Sequence, residues 1–138
     1  MDMVGDLFHY GHVNFLKQCH ELGDYLIVGI HSDKDVESYK RKPILSFEER
    51  VKVVEACKYV DKVITGPLIV TIELLEKYNI DYVVHAHDKD DTSYDKLYKN
   101  VPKDKFIRLD YSKGISTTDI IKRITASCVT NSSPGSHH

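Results

Sequence analysis

Short β-branched or aromatic segments alternate along the chain with segments of helical periodicity, and this alternation constrains the fold more than any other feature. The segments typical of buried strands are 25–31, 62–65, 81–86 and 106–109. Apolar residues recur at helical spacing in 12–22, 47–59, 72–78 and 117–124. A helix between two strands allows them to be parallel. With a short first strand at 1–4, the sequence predicts an α/β fold, doubly wound and Rossmann-like, with about five parallel strands and helices on both faces.

Capping signals support these helix boundaries. Ser46 and Ser116 each precede a helical pattern and are followed three residues later by an acid, Glu49 or Asp119. This spacing is typical of a capping box, in which the hydroxyl and the acid each satisfy a free backbone N–H group. Gly23 marks the predicted end of the first helix.

Length and charge limit the classes of protein that remain. The 138 residues, 41% of them hydrophobic, predict one domain over 1–125 and a disordered polar tail over 126–138. A net charge of −2 gives no general attraction for nucleic acid, and no apolar run predicts stable membrane insertion. Three scattered cysteines and an amino terminus without a signal-peptide pattern predict a cytoplasmic protein without a disulfide framework.

Two histidines stand at the predicted start of the first helix. His9 and His12 flank Gly11, where the backbone can pass close to a ligand. Free N–H groups and positive partial charge at a helix start, together with histidine donors, favour a phosphate site. The alternative is that both are ordinary solvated or core-edge histidines.

A second turn of the same kind opens the last predicted helix. Gly114 is followed by Ile115 and then by the hydroxyl residues Ser116, Thr117 and Thr118. Two phosphate-type helix starts in one domain suggest a ligand with several phosphates. Simple helix capping by the hydroxyls is the alternative interpretation.

Five sequence blocks together resemble a known family. In order along the chain they are DLFHYGHVNFL, GDYLIVGIHSD, YKRKPILSFEERVKVVEACKYVDKVI, VTIELLEKYNIDYVVHAHD and GISTTDIIKRI. Their order and spacing are similar to those of the cytidylyltransferases that make CDP-ethanolamine, CDP-choline and CDP-glycerol. The resemblance covers residues 2 to 124 and implies a nucleotidyltransferase of the HxGH superfamily.

The resemblance implies a reaction and roles for individual residues. CTP, bound with Mg²⁺, would be joined to a phosphorylated small alcohol by direct in-line attack, with release of pyrophosphate. His9 and His12 would contact the triphosphate, Lys40 would neutralise phosphate charge, and Arg50 would hold substrate or nucleotide phosphate. Lys40 could instead belong to a solvated loop, and Arg50 could form a surface ion pair with Glu49.

Further positions follow from the same resemblance. Ser116, Thr117 and Thr118 would cradle the β and γ phosphates, beside the glycines of the two helix starts, Gly11 and Gly114. Asp6 and Asp88 would line the site, with Asp88 near the cytosine and ribose, although Asp6 could instead fix the backbone of its own loop. The family also implies a homodimer through 58–64. No metal site is predicted, because His85 and His87 alternate on a strand and point to opposite faces.

The chain departs from the family pattern in places that bear on its substrates. Tyr111-Ser112-Lys113 replaces the usual Arg-Thr-Glu before GISTT, so an expected nucleotide-binding arginine is missing. Without tryptophan, only tyrosines such as Tyr94, Tyr98 and Tyr111 could build an aromatic cage, whereas Asp90, Asp91 and Asp95 could pair with a primary ammonium. We therefore expect phosphoethanolamine as substrate, with phosphocholine next. A catalytically impaired nucleotide-binding or dimerisation module and an ATP-dependent adenylyltransferase remain as alternatives.

Overall fold

The computed structural model describes residues 1–87, 97–110 and 115–130. The strands in these ranges are β1 (Asp2–Met3), β2 (Ile27–His31), β3 (Lys62–Gly66), β4 (Val83–His87) and β5 (Phe106–Asp110). The helices are α1 (Tyr10–Glu21), α2 (Asp33–Glu37), α3 (Phe47–Glu55), α4 (Ile72–Lys77) and α5 (Thr117–Thr130), and a 3₁₀ turn (Lys103–Lys105) precedes β5. The predicted alternation of strands and helices is confirmed.

All strand pairings are parallel. One sheet has the order β1-β2-β3 and the other pairs β4 with β5. The sequence predicts one sheet of about five strands, whereas the five strands form two sheets. The reason lies in β1, whose two residues pair only with Gly29 and Ile30 of β2.

The two sheets nevertheless share one apolar core. Val28 and Ile30 of β2 are fully buried together with Phe15 and Leu16 of α1. Val84 of β4 belongs to the same cluster, and side chains from β5 pack against it. The core therefore fixes α1 and both sheets relative to one another, which brings the ends of β1 and β4 together.

Helices α2, α3 and α5 depart most from the prediction. The short helix α2 was not predicted, although Ser32 caps it by accepting a hydrogen bond from the Asp35 N–H at 3.2 Å. Helix α3 ends at Glu55 rather than at 59, because Ala56 and Cys57 close the helix with bonds to earlier carbonyls.

The last helix continues to Thr130, beyond its predicted end at 124. The first five residues of the predicted disordered tail, 126–130, are therefore helical, since neither glycine nor proline interrupts the run before Pro134. The remainder of that tail, 131–138, lies outside the described residues. Within the described part of the chain, no helix combines the length and apolar content needed to span a membrane.

Candidate active site

A cavity opens at the carboxyl end of β1, beside the end of β4. Four of the predicted site residues line it: Asp6, His12, Lys40 and Thr117. They come from the loop after β1, from α1, from the segment after α2 and from the start of α5. Ligands of open parallel sheets bind at the carboxyl ends of the strands, so the position of this cavity is the one expected for a ligand site.

The loop between β1 and α1 has an unusual backbone. Gly5 has a φ of 69°, and Leu7 has a φ of 47° although it carries a side chain. A left-handed conformation costs roughly 1–2 kcal/mol at a non-glycine residue, and such residues are concentrated at functional sites. Between them, Asp6 is buried and its two carboxylate oxygens accept the N–H groups of Ile44 at 2.8 Å and Leu45 at 2.9 Å. Asp6 thus anchors this loop to the segment before α3.

Two histidine side chains cap the start of α1. The Gly11 N–H donates to His9 Nδ1 at 3.1 Å, and the His9 N–H donates to His12 Nδ1 at 3.2 Å. The centroids of the two imidazole rings lie 4.0 Å apart, and the His12 ring stacks on the Phe8 ring with a centroid distance of 5.2 Å. This is a reciprocal capping box in which imidazole nitrogens take the places of a hydroxyl and a carboxylate.

The caps fix where each neutral ring carries its proton. Because both Nδ1 atoms accept hydrogen bonds, the N–H of each neutral imidazole is at Nε2. His9 Nε2 is buried and has no hydrogen-bond partner among the described residues. An unpaired buried N–H group is costly, so this atom is a ready donor for an anion that enters the site.

Burial also sets the charge of His12. This side chain is 5% exposed, and burial, with smaller contributions from His9 and Lys40, lowers its pKa to about 4 despite the opposing charge of Asp6. Burial lowers the pKa of His9 as well. Both rings are therefore neutral donors at neutral pH rather than imidazolium ions.

The starts of α1 and α5 lie side by side. A Cβ placed on Gly11 would lie 2.8 Å from His9 Cε1 and 3.2 Å from the Ile115 carbonyl oxygen, so a glycine here lets the His9 ring and α5 approach. The Thr117 hydroxyl donates to the Asp6 carbonyl at 2.9 Å. The two helix starts, which the sequence predicts to hold parts of one ligand with several phosphates, therefore lie side by side.

The hydroxyl groups at the start of α5 make different hydrogen bonds. Ser116 Oγ accepts the Asp119 N–H at 3.1 Å, which is the predicted helix cap, and its own hydrogen is not used by that bond. Thr117 gives its hydroxyl hydrogen to Asp6. Thr118 is exposed. Gly114, together with Asp88 and the acidic cluster Asp90, Asp91 and Asp95, lies outside the described residues.

The two predicted cations occupy opposite environments. Lys40 is exposed at the cavity, where local desolvation and the neighbouring Arg41 lower its pKa. Arg50 is fully buried and donates to Leu45 O at 3.2 Å, Val4 O at 2.7 Å and Asp33 Oδ1 at 2.6 Å. Its ion pair is with Asp33, not with Glu49 at the surface. The surface ion pair considered for Arg50 is therefore wrong, and its guanidinium joins the segment after β1, helix α2 and the segment before α3.

Four polar side chains of the cavity wall were not predicted as site residues: Asp2, Tyr39, Arg41 and His85. Burial raises the pKa of Asp2, although the terminal ammonium and the nearby His31 and His85 oppose the shift. The signal in the sequence was a carboxylate inside a strand otherwise made of apolar residues, in MDMV. In the ranges that the structure describes, no three His, Cys, Asp or Glu side chains are grouped to hold a metal ion.

The fold and this site define an α/β protein in which two helix starts face a charged cavity at the carboxyl ends of parallel strands. Residues 6–123 match the family model described as cytidylyltransferase-like. The chain belongs to this family, as its resemblance predicts.

Curated relatives give the family more detail. The chain is 39% identical over 122 residues to the ethanolamine-phosphate cytidylyltransferase of Mus musculus, covering 86% of this chain and 30% of that protein. The Dictyostelium discoideum protein of the same name is 39% identical over 127 residues, covering 90% and 35%. The choline-phosphate cytidylyltransferase A of Homo sapiens is 38% identical over 132 residues, covering 89% and 35%. The chain thus spans about a third of the length of these relatives.

A solved structure supports the fold. The lipopolysaccharide core biosynthesis protein from Thermoplasma volcanium GSS1 superimposes with a TM-score of 0.68 over 81% of this chain and 94% of that one. At 23% sequence identity, this similarity concerns the fold alone.

Proposed function

We propose that this chain is a cytidylyltransferase that transfers CMP from CTP to the phosphate of a small amino alcohol, with phosphoethanolamine favoured and phosphocholine next. The observation that carries the proposal is the pair of histidines at the start of α1, whose Nδ1 atoms are occupied by caps while an Nε2 donor remains unpaired. The names of the relatives supply the reaction and the class of substrate.

The proposed reaction is a single displacement. A phosphate oxygen of the amino alcohol attacks the α phosphorus of CTP, a new P–O bond forms, and the bond to the departing pyrophosphate breaks with its electron pair. The protein supplies no nucleophile to this step, so its contribution is positioning and stabilisation of charge. The Nε2–H groups of His9 and His12 would donate to phosphate oxygens as charge develops, and the Lys40 ammonium would neutralise it. The buried Arg50 would act by holding these segments in place.

A carboxylate of the same cavity suits an ammonium group. Asp2 lines the same cavity as His12 and Lys40, and desolvation raises the pKa of its carboxyl. A cation beside this carboxylate would offset the cost of burying it. An amino alcohol phosphate carries its phosphate and its ammonium at opposite ends, which matches a cavity lined by both cations and carboxylates.

Mg²⁺ is proposed to enter with CTP rather than to reside in the protein. Both oxygens of Asp6 already accept backbone N–H groups, and no metal-ligand cluster is present in 1–87, 97–110 and 115–130. The ligands of the ion would therefore come from phosphate oxygens and water, as is usual for Mg²⁺ with nucleotides.

The quaternary structure and compartment follow from the family and the sequence. We propose a homodimer that uses the segment 58–64 and the neighbourhood of His9 to His12, located in the cytoplasm. Support for the compartment comes from the cysteines, since Cys19, Cys57 and Cys128 are all unpaired in the described structure. Analytical ultracentrifugation tests the dimer, and a monomer at micromolar concentration would contradict it.

Pyrophosphate release tests the activity. Purified protein is incubated with Mg²⁺, each nucleoside triphosphate, and phosphoethanolamine, phosphocholine or glycerol phosphate. We expect release with CTP and phosphoethanolamine, and a loss of about 100-fold or more in His12→Asn. His20→Asn, which changes a histidine two turns further along α1, is the matched control and retains activity.

Two results would contradict the proposal in different ways. Binding of CTP without release of pyrophosphate would identify a nucleotide-binding module. Turnover with ATP in preference to CTP would identify an adenylyltransferase.

A further inference from the structure

The carboxylate of Asp2 lies over the face of β2 that carries His31. Asp2 pairs in register with Gly29, and a Cβ built on Gly29 would collide with Asp2 Oδ1. Because alternate residues of a strand point to the same face, the side chain of His31 follows the Gly29 position on that face. The absence of a side chain at Gly29 thus places the Asp2 carboxylate next to His31.

His31 in turn contacts Tyr39. The Tyr39 hydroxyl lies 3.3 Å from His31 Nδ1, and the two rings meet edge to face at 6.1 Å. His31 is 5% exposed, and this burial lowers its pKa, with further lowering by Arg50 and Lys40 and opposition from Asp2 and Asp35. A neutral His31 can therefore accept the Tyr39 hydroxyl hydrogen at Nδ1.

The hydrogen bond to His31 determines whether the Tyr39 hydroxyl donates or accepts hydrogen bonds in the cavity. Burial raises the pKa of Tyr39, and the charge of Asp2 raises it further, so the residue remains a phenol. A phenol that gives its one hydrogen to His31 turns the lone pairs of its oxygen to other donors. Tyr39 and Asp2 line the same cavity, where both would then accept hydrogen bonds from a ligand.

We propose that His31 is a positioning residue that holds Tyr39 as a hydrogen-bond acceptor beside Asp2, and that this arrangement selects a primary over a quaternary ammonium group. The inference rests on the proposed function, since it concerns the amino end of that substrate. A primary ammonium has three N–H donors, which Asp2 and Tyr39 can share. A trimethylated nitrogen has none, so it gains charge attraction from Asp2 but nothing from the Tyr39 oxygen. A site built on hydrogen bonds discriminates strongly against analogues that lack the donor.

Steady-state kinetics with two substrates test the role of His31. We expect His31→Leu and Tyr39→Phe each to raise the KM for phosphoethanolamine about tenfold, the effect of losing one hydrogen bond to a charged group. The KM values for phosphocholine and CTP should stay within about twofold of the wild-type values. Neither compound donates a hydrogen bond to the Tyr39 oxygen in this proposal. Tyr25→Phe, at an exposed tyrosine that precedes the amino end of β2 and does not line the cavity, is the matched control.

A conservative variant and a double mutant separate positioning from simple packing. Asparagine at position 31 keeps an acceptor near the place of Nδ1, so His31→Asn should restore the preference for phosphoethanolamine. The double variant of His31→Leu with Tyr39→Phe should be no worse than either single variant, because both remove the same bond. Additive losses, or equal KM increases for both phosphoalcohols, would overturn the proposal. Tyr39 is 45% exposed, so Tyr39→Phe keeps the test valid even where His31→Leu impairs folding.

Calorimetry separates this inference from the proposed function. If the wild-type chain releases no pyrophosphate with any phosphoalcohol, the proposed activity fails. Direct binding of phosphoethanolamine and phosphocholine then decides the inference: tighter binding of phosphoethanolamine that Tyr39→Phe abolishes supports it. Equal binding of both compounds to the wild-type chain overturns it.

Discussion

The starts of α1 and α5 have the same predicted purpose but use their side chains differently. At α1, His9 and His12 accept the capping hydrogen bonds at Nδ1 and keep a separate nitrogen, Nε2, as a donor. At α5, the side chains of Ser116 and Thr117 each carry a single hydroxyl group. The Thr117 hydroxyl donates its hydrogen to the Asp6 carbonyl, and the Ser116 oxygen accepts the Asp119 N–H. An imidazole can therefore cap a helix through Nδ1 and still donate a hydrogen bond to a ligand through Nε2.

This contrast explains what a helix start needs in order to bind phosphate. Backbone N–H groups and partial charge are common to every helix start. What differs is how many side-chain hydrogens remain after the helix itself has been capped. After capping, His9 and His12 at the start of α1 keep more side-chain donors than Ser116 and Thr117 at the start of α5. Of the latter two, Ser116 keeps its hydroxyl hydrogen as a donor.

The largest expected effect separates capping from donation at α1. Asparagine keeps an acceptor near the Nδ1 position but lacks the Nε2–H group, so His9→Asn and His12→Asn should each lower kcat by about 100- to 1000-fold. Their melting temperatures should remain close to that of the wild type, whereas His9→Ala also loses the cap and about 1 kcal/mol of stability. Near-normal kcat in both asparagine variants would remove the imidazoles from the reaction.

The next effect concerns what holds the α1 start in place. Arg50→Met should lower the free energy of unfolding by about 3 kcal/mol, because the carbonyls of Val4 and Leu45 lose a buried charged donor. Lys40→Met, at the exposed cation of the cavity, should leave stability within about 0.5 kcal/mol and raise KM instead. Urea denaturation of the two variants measures the difference, and equal stabilities would refute the assignment of Arg50 as a structural clamp.

Stability should also depend on pH through His12. Its pKa is about 4 in the folded chain, below the ordinary value of 6.5, so between these values the unfolded chain binds the proton and the folded chain does not. The free energy of unfolding should therefore fall as pH drops from 6.5 towards 4, by up to about 3 kcal/mol from this residue. His9 and His31 act in the same direction, and Asp2, whose pKa is raised, acts in the opposite one.

Urea denaturation at pH 7 and pH 5 checks this dependence. His12→Asn has no imidazole to titrate, so it should lose less stability between the two pH values than the wild type does. An unchanged difference would show that His12 is not the group responsible.

The smallest expected effects test α5. Ser116→Ala removes the helix cap and Thr117→Val removes the bond to Asp6, so each should cost about 1 kcal/mol of stability. Ser116→Ala should also raise the KM for CTP severalfold, whereas Thr117→Val should change it little because that hydrogen is already used. A larger effect on CTP from Thr117→Val would reverse the ranking of the two hydroxyls.

The elements of the fold were largely accessible from the sequence, because strand and helix periodicities differ and capping residues mark the boundaries. The start of α3 at Phe47 after Ser46 and the start of α5 at Thr117 after Ser116 follow from such local signals. The division into two sheets was not accessible. It depends on how far β1 extends beside its neighbours, which is a property of the assembled sheet.

The sequence predicted the contacts of the site only between residues that are close together in the chain. His9 and His12 are three residues apart at a helix start, so their proximity follows from local geometry. The burial of Arg50 was not predicted, because its partners, Val4 and Asp33, are distant in sequence. Asp2 was overlooked because only the pairing of β1 with Gly29 shows that its carboxylate reaches the cavity.

Leu45 has both of its main-chain groups committed, and this has a consequence for evolution. Its N–H donates to the Asp6 carboxylate and its carbonyl accepts from Arg50, so the loop after β1 and helix α3 are both held by the backbone of one residue. The bonds use backbone atoms, and the side chain at 45 is therefore free to vary. The length of the chain between Lys40 and Ser46 is not, since one residue more or less would remove both partners at once. Among relatives of this chain, we expect this segment to change in composition while keeping its residue count.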